Sequence, residues 1–119
     1  MTELSIIAPV LNEVEAIDHF LDRLGKVLPA ATESYEVIFV DDGSSDGTAQ
    51  KILDRRAGDD RVKLLRLSRN YGKEVALTAG LDCAAGAAAI PMDVDLQDPP
   101  ELIPEMMAKW RAGADIVLA

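Results

Sequence analysis

The chain has 119 residues, enough for one domain, and 49% of them are hydrophobic, enough for a buried core. Its net charge of −9 and pI of about 4.4 exclude the basic surface that nucleic-acid binding requires. A phosphate ligand would need a cation or helix N-termini to offset that charge.

Apolar runs and helical patterns alternate along the chain. Leu4 to Pro9 reads as a buried strand, and Glu13 to Leu28 follows as a helix with Ile17, Phe20, Leu21, Leu24 and Leu28 at helical spacing. Glu36 to Val40 is a second strand, Thr48 to Arg56 a short helix, and Arg61 to Leu67 a third strand. Lys73 to Ala85 is an Ala- and Leu-rich helix, Ala88 to Asp93 a fourth strand, Pro100 to Ala112 a helix, and Asp115 to Leu118 a fifth strand. This order predicts an α/β fold with a mostly parallel sheet covered on both faces. The chain stops in an apolar strand, and it is read as the N-terminal portion of a longer protein. Ile116, Val117 and Leu118 would then be an exposed edge open to self-association.

Cys83 is the sole cysteine, so no intrachain disulfide forms. Beside Leu81, Ala84 and Ala85 it reads as a small buried hydrophobe. No signal peptide opens the chain, and the apolar stretch from Cys83 to Met92 is too short to span a bilayer. His19, on the first helix, reads as surface or core edge. Trp110 and Met106-Met107 read as packing, as does the loop aromatic Tyr71.

In open parallel sheets, ligands bind outside the carboxyl ends of the strands. Here those ends are polar: Pro9-Val10-Leu11-Asn12-Glu13, Asp41 to Thr48, Ser68 to Lys73, and Asp93 to Asp98. Each loop also has a plain structural reading. Asn12 and Glu13 suit an N-cap and first turn, Asp41-Asp42-Gly43 a turn, Asp46 to Thr48 a cap, and Lys73 a solvated helix start. A calcium loop from Asp42 fails at its twelfth position, Leu53, where a Glu is needed. Neither a dinucleotide fingerprint nor a P-loop pattern occurs.

Asp93-Val94-Asp95-Leu96-Gln97 carries the most information. In an extended segment Asp93, Asp95 and Gln97 would point to one side. Hard oxygen donors of this kind suit Mg²⁺ or Mn²⁺ when phosphates complete the shell. The alternative is a strand-to-helix turn, with Asp98 as a cap and Pro99-Pro100 opening the next helix.

The three segments Pro9 to Glu13, Val40 to Thr48 and Asp93 to Pro100 closely resemble family 2 glycosyltransferases of the GT-A fold, a Rossmann-like nucleotide-binding α/β/α sandwich. Within that family the chain looks most like the polyprenyl-phosphate glycosyltransferases, and Asn70-Tyr71-Gly72-Lys73 with its Ala-rich helix fits that group. The resemblance implies that Pro9 lines the base pocket, Glu13 contacts the nucleoside, and Asp41 bonds the base or ribose. It places Asn12, Gly72 and Lys73 with them as nucleotide-binding residues. Asp93-x-Asp95 matches the family's metal and diphosphate motif, with Gln97 as a third ligand. It further implies a nucleotide-sugar donor (with UDP favoured and GDP left open), a polyprenyl-phosphate acceptor, and work at the cytoplasmic face of the membrane. Acceptor-site and catalytic acidic residues lie in a later part of such proteins, and no catalytic residue is assigned within these 119. Competing expectations are a family 2 transferase with a saccharide acceptor, a sugar nucleotidyltransferase, and, from another class, a phosphoacceptor receiver module.

Overall fold

The computed structural model describes residues 1–97 and 99–113. Strand β1 (Leu4–Val10) and strand β2 (Tyr35–Asp41) are almost wholly buried, as continuous apolar runs flanked on both faces must be. Each is followed by a helix: α1 (Ile17–Ala31) and α2 (Thr48–Gly58). Strand β3 (Val62–Arg66), helix α3 (Lys73–Cys83) and strand β4 (Ala88–Pro91) come next. A 3₁₀ turn (Pro100–Leu102) then leads into helix α4 (Ile103–Arg111).

All pairings are parallel, and the strand order is β3-β2-β1-β4. The first two crossovers step outward from β1; the third returns past it to place β4 on its other side. Chain direction through the sheet therefore reverses between β1 and β4, the switch point at which doubly wound sheets open a crevice. A receiver module has β1 between β2 and β3, so this order excludes that reading.

Strand alternation divides the core. Leu4, Ile6, Ala8 and Val10 of β1 join Val37 and Phe39 of β2 against Ile17, Phe20, Leu24 and Leu28 of α1, with Ile52, Ile103 and Met107 from α2 and α4. The other face is thinner among the described residues: Ile7, Ile38 and Val40 meet Ala76, with Leu77 and Ala79, from α3. Gly80 makes that contact close, since a Cβ there would lie 2.5 Å from Ile7 Cγ2 and 2.9 Å from Val40 Cγ2. At the N-terminal end of the sheet the buried Glu36 accepts from the Ser5 hydroxyl at 2.6 Å and the Ala85 N–H at 2.7 Å, with Lys63 Nζ 3.5 Å away. This ties β1, β2 and the turn before β4 together.

Several boundaries differ from expectation. Helix α1 begins at Ile17, not Glu13, because residues 11–16 form a loop held by long-range bonds. Strand β4 ends at Pro91 rather than Asp93. The final helix opens as a 3₁₀ turn. Cys83 is exposed, correcting its reading as buried: it is the last residue of α3, where residues 81–83 are all exposed. His19 is exposed, Trp110 packs half-buried on the core, and Met107 is buried. The expected fifth strand, with its apolar edge, lies outside the described residues. No helix among those described is long and apolar enough to cross a membrane.

Candidate functional site

The carboxyl ends of the strands form one cleft of about 420 Å³. Pro9, Val10, Leu11 and Glu13 line it from the end of β1 and the loop after it, Asp42 from the loop after β2, and Asn70, Gly72 and Lys73 from the entry of α3. Asp93, Val94, Asp95 and Gln97 line it from beyond β4. It sits at the switch point, and its size suits a small-molecule ligand.

Two loops are joined before any ligand is considered. Asn12, with φ of 53°, donates its N–H to Ser44 Oγ at 2.9 Å, and its carboxamide oxygen accepts from the Ser45 and Asp46 N–H groups at 2.8 and 3.3 Å. The Glu13 N–H donates to the buried Thr48 hydroxyl at 2.9 Å. Asp46 accepts from the Thr48 hydroxyl and N–H, and these bonds, the hydroxyl's first, hold its carboxyl below the usual carboxylate range. Asn12 is therefore not the cap of α1, whose N-cap is Ala16. It binds the first loop to the second and does not line the cleft.

The adjacent aspartates have separate surroundings. Asp42, the cleft-lining one, is buried; its Oδ1 accepts from the Tyr71 N–H at 2.7 Å and its Oδ2 from the Gly72 N–H at 3.0 Å. Asp41 lies behind the lining: Oδ1 accepts from the Ser44 N–H at 2.9 Å, while the buried Oδ2 has no hydrogen-bond donor among the described residues, Arg66 Nε being 3.7 Å away. Gly43, at φ of 88°, brings these loops into contact, because a Cβ there would be 2.8 Å from Asn70 N. Tyr71 stays outside the cleft; it is 45% exposed, with Arg69 stacked on its ring at 4.9 Å.

The acidic wall has a different backbone from the one expected. Residues 93–96 are not extended: the Leu96 N–H donates to the Asp93 carbonyl at 3.1 Å and Leu96 takes φ of 59°. Period-two alternation therefore does not apply, yet the turn still brings Asp93, Asp95 and Gln97 to the same cleft. Lys73, the first residue of α3, reaches across to place its Nζ 2.7 Å from Asp93 Oδ1. Asp95 Oδ1 lies 3.4 Å from the Gln97 N–H. Among the described residues no group of three His, Cys, Asp or Glu side chains is placed to hold a metal unaided. The two carboxylates and the carboxamide that line the open cleft are hard oxygen donors, which could hold Mg²⁺ or Mn²⁺ only with phosphate oxygens or water to complete the shell. A cation, the Lys73 ammonium, already lies against one of those carboxylates.

Among the cleft residues not assigned a role from the sequence are Val10, Leu11, Asn70, Val94 and the charged Asp42. Its signal was the strand boundary: β2 ends at Asp41, so Asp42 begins the loop at the crevice.

A Rossmann-like parallel sheet with an acidic turn at its switch point is the fold class of the GT-A glycosyltransferases. Residues 5–119 match the family model described as "Glycosyl transferase family 2", and the chain belongs to that family. It is 50% identical over 117 residues to an uncharacterized glycosyltransferase of Synechocystis, covering 98% of this chain and 37% of that protein. It is 47% identical to the bactoprenol glucosyl transferase of Shigella phage SfV, covering 98% and 38%. Identity is 41% with the undecaprenyl-phosphate 4-deoxy-4-formamido-L-arabinose transferase of Proteus mirabilis, covering 98% and 36%. The chain thus spans little more than a third of the length of these relatives. Among solved structures, glucosyl-3-phosphoglycerate synthase of Mycobacterium tuberculosis in complex with UDP superposes with a TM-score of 0.71 at 24% identity, covering 94% of this chain and 41% of the other. The mannosyltransferase of Pyrobaculum calidifontis in complex with GDP-mannose and Mn²⁺ superposes with a TM-score of 0.68 at 24% identity, covering 82% and 33%. At that identity the superpositions speak to fold.

Proposed function

We propose that this chain is the donor-binding part of a metal-dependent glycosyltransferase that moves a sugar from a UDP-sugar to a polyprenyl phosphate at the cytoplasmic face of the membrane. The observation that carries the reading is the convergence of Glu13, Lys73, Asp93, Asp95 and Gln97 on one switch-point cleft. The relatives named for bactoprenol and undecaprenyl phosphate support the acceptor class.

In this reading the nucleoside lies toward Pro9 and Glu13. Asp41, expected from the resemblance to bond the base or ribose, has its Oδ2 buried behind the cleft lining, and its Oδ1 holds the Ser44 N–H of the loop that carries Asp42 into the cleft. Asp93, Asp95 and Gln97 would hold Mg²⁺ or Mn²⁺, which neutralises charge on the leaving diphosphate. The N-terminus of α3 and the Lys73 ammonium add positive potential on the opposite wall. An acceptor phosphate oxygen forms a bond to the anomeric carbon as the bond from that carbon to the diphosphate breaks. The electron pair leaves with the nucleoside diphosphate, so no oxidant or further reactant is needed. Cleft residues orient the donor; the acceptor is held by parts of the longer protein.

Thermal stabilisation tests the reading. UDP with Mn²⁺ should raise the melting temperature well above either alone, because a ligand that binds only the folded state stabilises it. No stabilisation by any nucleoside diphosphate plus metal would remove the reading.

A further inference from the structure

We propose that Lys73 makes divalent-ion binding conditional on the donor's diphosphate. This rests on the donor-site reading above and concerns its regulation. Lys73 Nζ lies 2.7 Å from Asp93 Oδ1, so the ammonium and an incoming ion would share one carboxylate. Oδ2 remains for the ion, but an ion bound there at about 2.1 Å would face a positive charge one carboxylate away. Without phosphate, Lys73 therefore opposes metal binding twice: it neutralises part of the Asp93 charge, and it repels the ion.

A diphosphate reverses the sign of that effect. Its oxygens would complete the shell that two carboxylates and a carboxamide leave open. They also give the ammonium an anion to face, so ion and lysine no longer compete for one negative group. Lys73 is free to make this exchange. Its side chain is 64% exposed and springs from the first residue of α3, while Asp93 is the more enclosed partner at 35%. The coupling is reciprocal: whatever Lys73 adds to the dependence of metal on nucleotide, it adds to the dependence of nucleotide on metal.

The test titrates Mn²⁺, read from the electron paramagnetic resonance signal of the free ion, with and without saturating UDP. Wild type is compared with Lys73→Met and Lys73→Arg. Lys73→Met should bind Mn²⁺ alone about tenfold more tightly than wild type, and the enhancement by UDP should shrink by a similar factor. Lys73→Arg keeps the charge and should retain the wild-type pattern. Unchanged Mn²⁺ affinity in Lys73→Met, or undiminished enhancement by UDP, overturns the proposal while leaving the donor site intact. A wild-type protein that shows no enhancement at all overturns both the proposal and the functional reading.

Discussion

Asp42 holds Gly72 in place: its Oδ2 accepts the Gly72 N–H at 3.0 Å while Oδ1 takes the neighbouring Tyr71 N–H at 2.7 Å. One carboxylate at the end of β2 thus fixes the entry of α3, and with it the point from which Lys73 reaches Asp93. Hydrogen bonds to a charged group contribute more than neutral ones, about 1.5–3 kcal/mol each.

Asp42→Ala should cost about 2–3 kcal/mol, since water can replace part of the lost pairing. Urea denaturation measures the loss. Amide exchange at Tyr71 and Gly72 should quicken more than at β1, which separates loosening of this loop from general destabilisation.

The acidic turn should show its role against a neutral control. Asp95→Asn should weaken Mn²⁺-dependent UDP binding at least tenfold, whereas Asp54→Asn, on the exposed side of α2, should leave it unchanged. Isothermal titration calorimetry decides it. Equal effects of the two changes would dissociate the turn from the metal.

Glu36 sets a pH dependence far from the cleft. Burial would raise its pKa, but the bonds from Ser5 and the Ala85 N–H, with Lys63, outweigh burial and hold it below the usual carboxylate range. A lowered folded pKa contributes stability that is fully present above the unfolded value of about 4.3 and is lost as pH falls through the folded value. Glu36→Gln should therefore destabilise by about 2 kcal/mol at neutral pH. The gap between the two proteins should narrow on acidification below about pH 4. Urea midpoints measured across that range give the answer; a constant gap would contradict the assignment.

Two helical glycines should respond oppositely to alanine. At Gly80 the added methyl meets Ile7 and Val40, so overpacking of about 1–3 kcal/mol should outweigh the gain in helix propensity. At Gly25, in α1, nothing lies within 4 Å, and Gly25→Ala should stabilise by about 0.5–1 kcal/mol. Paired thermal melts of the two variants make the comparison.

What was legible in the sequence follows from range. The strands β1 and β2 announce themselves as apolar runs, and α1 by the spacing of Ile17, Phe20, Leu24 and Leu28, because these signals are local. The start of α1 was misplaced because the bonds that hold residues 11–16 out of the helix come from Ser44, Asp46 and Thr48, over thirty positions away. Of the site residues expected from the sequence, Pro9, Glu13, Gly72, Lys73, Asp93, Asp95 and Gln97 line one cleft, whereas Asn12 and Asp41 do not. Extended geometry was the wrong reason for Asp93 to Gln97, since a turn and a left-handed Leu96 do the gathering. The exposure of Cys83 depends on where α3 ends relative to the sheet, which composition does not encode.

The close approach at Gly43 has a consequence for how the cleft receives a ligand. Backbone meets backbone there, with Asn70 N where a side chain would begin, and Asn12 and Asp42 bind the adjoining loops from either side. That wall acquires its shape when the chain folds, so a nucleoside settling against it need not order it. The opposite wall, built on the turn after β4, is joined across the cleft by the pair between Lys73 and Asp93, both of which a charged ligand would engage. For the nucleotide donor proposed above, recognition of the uncharged end would thus be decided in advance, with adaptation concentrated where the charges change.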